Sequence, residues 1–176
     1  KKGLELDPGN HVILLNFSVA LIELGKYEEA ETANKKGLSV NPNYYNNWEL
    51  LYTNYVRQSS RKKDIDDLIN EIETFINKNR QIYSILVHYY KDKDVKKSNE
   101  YLVKLKSYLK VTKSRSLEQY QILDVDFSGF MDRAEKAFET KKLPYAFGNL
   151  STTYYLDAYK DEPRYKALVR KFRAGR

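Results

Sequence analysis

Apolar residues near the start of the chain recur at helical spacing and stop where helix-ending residues stand. Leu14, Phe17, Leu21 and Leu24 fall three to four positions apart, which predicts one apolar stripe on a helix. Asn10 stands in front of the stripe as a predicted N-cap, and Gly25 closes it. Lys26-Tyr27-Glu28-Glu29-Ala30 then opens a second helix, on which Ala30, Ala33 and Gly37 share a face. Small residues on one face let two helices approach closely, with Leu14, Phe17 and Tyr27 filling the space beside them. Pro42 ends this second helix, because proline cannot continue the hydrogen-bond ladder.

The same alternation continues with weaker punctuation. Trp48, Leu51, Tyr52 and Tyr55 predict a third helix, followed by a longer turn from Gln58 to Lys63. Asp64 is the predicted cap of a fourth helix carrying Ile65, Leu68, Ile69, Ile72, Phe75 and Ile76. Ile82, Ile85, Leu86 and Tyr89 predict a short helix, with a turn at Asp92 to Asp94. Val95, Ser98, Leu102, Leu105 and Leu109 line the helix after it. A further pair is expected from Leu117, Tyr120, Ile122 and Val125, then Gly129, Met131, Ala134, Ala137 and Phe138. Leu143-Pro144-Tyr145 breaks the pattern. Pro163 suits the first turn of a final helix whose buried face would hold Tyr165, Leu168, Val169 and Phe172.

One segment recurs. Leu4 to Asn10 (Leu-Glu-Leu-Asp-Pro-Gly-Asn) is matched by Leu38 to Tyr44 (Leu-Ser-Val-Asn-Pro-Asn-Tyr), with Gly3 and Gly37 before the two copies. Pro8 and Pro42 therefore stand 34 residues apart, the period of a tetratricopeptide repeat (TPR). From His11 to Pro42 the chain resembles that family over a whole repeat. Leu14 takes the usual aromatic place, Ser18 the usual glycine and Asn34 a second usual aromatic, while Trp48 holds the preferred tryptophan place of the next unit. The resemblance implies an all-α, TPR-like right-handed helical solenoid with a C-terminal capping helix. Its expected divisions are 1–10 as the end of a truncated repeat, 11–43 as a TPR and 44–80 as a TPR-like unit. Degenerate helix pairs are expected at 81–113 and 114–142, and a cap at 143–176. Asp161-Glu162-Pro163-Arg164-Tyr165 resembles the ending of many bacterial TPR-bearing signalling proteins, and the opening at Lys1 reads as the tail of a repeat. Both suggest the C-terminal repeat region of a larger bacterial protein.

The resemblance also implies a concave groove lined by the first helix of each repeat. Carried onto this chain, its residues are Val12, Leu15, Val19 and Ile22, then Asn46, Glu49, Thr53 and Arg57, then Tyr83, Val87 and Tyr90. The first four form an apolar set suited to a partner, to neighbouring repeats or to a second copy of the chain. The family's grip on a terminal carboxylate is not expected, because Leu50 stands where a donor is needed beside Asn16.

Composition narrows the chemistry. The chain has 176 residues, 41% hydrophobic and 31% charged, a globular and helix-leaning balance. It has no cysteine, which excludes disulfides and thiolate metal sites and favours a cytoplasmic location. No apolar run approaches the length of a membrane span. The two histidines, His11 and His88, lack a second ligand at metal spacing, and there is no phosphate loop or nucleophile elbow. Glu28-Glu29 and Asp66-Asp67 sit where helices start and complement their dipoles. The expected molecule is thus not an enzyme and carries no cofactor. It is a scaffold or regulatory module that binds a peptide or helix of a protein partner. Homodimerisation is the first alternative. Nucleic-acid binding by the basic stretch 95–115 is the second, and it ranks lower because a net charge of +7 is modest and Lys and Tyr are spread along the chain.

Overall fold

The computed structural model describes residues 7–75, 82–112, 127–139 and 159–174, and every regular element among them is helical. These are α1 (His11–Glu23), α2 (Tyr27–Val40), α3 (Tyr45–Val56), α4 (Lys62–Phe75), α5 (Tyr83–Tyr90), α6 (Val95–Thr112), α7 (Phe127–Glu139) and α8 (Pro163–Ala174). The chain divides into two compact units, Lys1–Leu86 and Val87–Arg176, so that the division falls inside α5.

In the first unit each helix packs on its sequence neighbour, α1 on α2, α2 on α3 and α3 on α4, and α1 also touches α3. Local signals set the helix ends. The Asn10 side chain accepts hydrogen bonds from the backbone N–H groups of Val12 and Ile13, satisfying two donors that the helix cannot. At the far end Gly25 takes φ 71°, Lys26 N–H bonds to Leu21 O (2.8 Å) and Gly25 N–H to Ile22 O (3.0 Å). That pair of bonds is a Schellman motif, and it needs the left-handed residue that glycine supplies. α2 ends at Val40, just before Pro42.

Small residues bring α1 and α2 together. Ala30, Ala33 and Gly37 are buried, and the Ser18 hydroxyl, also buried, donates to Ala30 O (2.9 Å). A Cβ added to Gly37 would lie 3.0 Å from the Asn47 amide nitrogen, so α2 and α3 approach closely at this glycine. Trp48 is buried, donates from Nε1 to Pro42 O (2.8 Å) and lies 5.3 Å from the Phe75 ring, which joins α3 to α4. Leu68, Ile69 and Ile72 bury the inner face of α4.

Four expectations from the apolar pattern change. Leu24 is 72% exposed, because the Schellman turn swings it off the α1 stripe. Asp64 does not cap α4. The helix already begins at Lys62, and the Asp64 carboxylate is held in the first turn by Arg61 Nε (2.6 Å). The turn before α4 is correspondingly shorter than expected. Val95 is 63% exposed, and the buried side of α6 is carried by Ser98 and Leu105.

In the second unit Asp94 caps α6, its carboxylate accepting from Lys97 N–H (3.0 Å), while Ser98 donates to Val87 O (2.9 Å). Pro163 is the first residue of α8, as its fixed φ favours. Arg164 grips α7 through Glu135 (2.8 and 2.7 Å) and Asp132 (2.6 Å), and Met131, Ala134, Tyr165 and Leu168 are buried. The predicted helix at Leu117–Val125 and the break at Leu143–Tyr145 lie outside the described residues, as does Ile76.

Candidate partner-binding face

α1 and α3 lie side by side, and the expected groove residues of the first unit are carried by these two helices. Their ends are linked by Arg57 and Glu23, whose charged atoms stand 3.7 Å apart. Val12 is 41% exposed, and Leu15 and Val19 are half-buried beside the core cluster of Leu21, Ile22, Ala30 and Leu50. Ile22 belongs to that core, so it offers no free surface to a partner. On α3, Asn46 is half-buried and donates to the Tyr44 hydroxyl (3.3 Å). Thr53 is buried and turned back on its own helix, donating to Glu49 O (2.8 Å). Arg57 is half-buried. The exposed part of this face is therefore Val12, with Leu15, Val19, Asn46 and Arg57 partly open. In α5, Tyr83 and Tyr90 are half-buried and Val87 is buried.

Glu49 departs most from expectation. Its residue as a whole is half-buried, but carboxylate Oε1 lies beneath the surface with no hydrogen-bond partner. Burial pushes the carboxyl up to about 7, against a smaller lowering by a hydrogen bond with the Tyr45 side chain. The Tyr45 hydroxyl also meets Ser84 Oγ at 2.8 Å. Below about pH 7 this carboxyl is protonated and able to donate. A protonated acid beneath a helix face is a hydrogen-bonding group.

A second polar centre lies between α2, α3 and α4. Glu31 accepts from the Tyr55 hydroxyl (2.8 Å) and from Arg61 (2.8 Å) and pairs with Lys35 (2.7 Å). Arg61 also lies 4.5 Å from the centre of the Tyr55 ring. Burial pushes the Glu31 carboxyl up, but the bonds from Arg61, Lys35 and Tyr55 outweigh it and hold it at about 2. Tyr55 is pushed up to about 12, by burial first and then by its bond to Glu31. Neither Glu31 nor Arg61 is marked by local sequence; only the packing of three helices brings them together.

His11 is edge-on to Tyr44 at 4.8 Å, and its Nε2 stands 3.3 Å from the Asn41 amide nitrogen. Among the described residues no group of three or more His, Asp or Glu side chains is placed to hold a metal ion. Among them, too, no helix is long and apolar enough to cross a membrane. Leu50 is buried in the core, away from any role as a carboxylate donor. No family model, curated protein or solved structure matches this chain.

Proposed function

We propose that this chain is a TPR-like helical-repeat module, a scaffold or regulatory part that binds a peptide or helix of a protein partner. The observation that carries the reading is the pairing of the 34-residue step from Pro8 to Pro42 with the packing of α1, α2 and α3. The two helices that follow these prolines touch each other, with α2 packed against both. That is the relation a solenoid requires of its first helices. Along these two helices stand Val12, Leu15 and Val19, at helical spacing on α1, and Asn46 and Arg57 at the two ends of α3, with Arg57 also facing Glu23. Such a surface suits an amphipathic helix or an extended peptide with apolar anchors and an acidic group.

Selection of ligands from a displayed peptide library, followed by affinity measurement on Val12→Glu and Arg57→Glu variants, tests this. Both substitutions lie at the open part of the face. Each is expected to weaken a selected peptide by about tenfold or more, as for contacts at the centre of an interface. Unchanged affinity in both variants would remove the α1–α3 face as the contact surface. Light scattering that shows a dimer, broken by Val12→Glu, would move the reading to self-association.

A further inference from the structure

α6 buries one side and leaves a short apolar stripe on the other. Ser98 and Leu105 are buried, while Val95 and Val103 are 63% and 64% exposed. Val95, Asn99 and Val103 follow at four-residue steps, so they share a face. At the rise of a helix the two valines stand about 12 Å apart, with Asn99 midway between them. Lys96 and Glu100 complete the lining of the same shallow hollow, on one flank of the stripe. Both are exposed, and among the described residues neither is paired with an opposite charge. The stripe is therefore symmetric about its centre, and its flank carries one free charge of each sign.

We infer that this face of α6 pairs antiparallel with α6 of a second copy of the chain, about a two-fold axis at Asn99. Such an axis makes the contact isologous, each residue meeting the counterpart that its own copy meets in return. Reversing the helix about Asn99 sets Val95 of one copy against Val103 of the other, twice. It also keeps the two charged flanks on the same side of the pair, so each Lys96 reaches the Glu100 of the other copy. A parallel pairing would set lysine on lysine and glutamate on glutamate, which costs energy. At the centre Asn99 meets its own copy, and an amide both donates and accepts. A polar residue in such a seam penalises shifted registers. A stripe this short buries less area than a permanent dimer needs, so the association is weak and reversible. It lies on α6 and does not rest on the α1–α3 reading.

Sedimentation equilibrium of the whole chain from about 10 µM to about 1 mM, at low salt, tests the pairing. The parent is expected to pass reversibly from monomer to dimer over that range. Val103→Glu should weaken the dimer by about tenfold or more, because it places a charge at both ends of the apolar seam. Lys96→Glu and Glu100→Lys should each weaken it by about fivefold, since each turns two attractions into two repulsions. The double variant Lys96→Glu/Glu100→Lys exchanges the charges and should recover the parent's constant to within about twofold. Circular dichroism checks that each variant keeps its helix content, and recovery in the double variant separates a lost contact from a lost fold. A parent that stays monomeric up to about 1 mM overturns the inference. So does a dimer that Val103→Glu leaves intact, or a double variant that associates no better than the single ones.

Discussion

Single residues decide how this protein responds to protons. Glu49 is raised by burial from the usual 4.5 to about 7, so the folded chain holds its proton over a range in which the unfolded chain has released it. Its contribution is fully present below about pH 4.5 and is lost as pH rises through about 7, a change on the order of 3 kcal/mol. Glu49→Gln removes that titration and keeps the shape. Urea unfolding at about pH 5 and pH 8 should show the variant gaining on the parent by a few kcal/mol between the two conditions. A parent-to-variant difference that is the same at both pH values would count against a buried, protonated Glu49. Asn34 and Asn47 carry a cost of another kind. Both amides are buried with neither polar atom bonded, and each such group costs about 1–3 kcal/mol.

At the level of elements, the first helix pair was legible because its signals are local. Asn10 caps, Gly25 turns, Ala30, Ala33 and Gly37 pack, and Pro42 stops, each within a few residues of its effect. Gly25→Ala tests the turn cleanly. A Cβ at that position meets nothing within 4 Å, so its whole cost is the left-handed backbone, about 1–2 kcal/mol. A thermal midpoint lowered by several degrees is expected, with α1 amides exchanging faster at the C-terminal end; an unchanged midpoint would show that the Schellman turn contributes little. Legibility fails where an answer depends on a neighbouring helix. Periodicity finds the apolar stripe of a helix but not which flank a partner element covers. Hence Val95 is exposed, while Ile22, Thr53 and Val87, expected on an open groove, are buried. Asp64 has the composition of a cap, but the Arg61 guanidinium beside it claims its carboxylate. The burial of Glu49 leaves no trace in spacing, whereas Lys97 and Tyr101 do stand at helical spacing on α6, and only their contacts with Tyr90 needed the structure.

For the molecule as a whole, the two displaced carboxyls pull in opposite directions. Glu31 is held at about 2, so its contribution is present above about pH 4.5 and lost as pH falls towards 2. Asp64 and Glu135 are lowered as well, chiefly by Arg61 and Arg164, and act in the same sense. Glu49 acts in the reverse sense above 4.5. The chain is therefore expected to be most stable on the acid side of neutrality, near pH 4.5–5 by these shifts, and to weaken towards pH 7. A series of thermal midpoints from about pH 3 to pH 8 checks this, and a flat plateau from pH 5 to 8 would contradict it. The same buried carboxyl makes folding a proton-consuming reaction. At about pH 6 each chain that folds draws close to one proton from solution, and the surrounding buffer must release it. The measured heat of folding then contains the buffer's own heat of ionisation, so phosphate and an amine buffer at one pH would record different enthalpies for the same event.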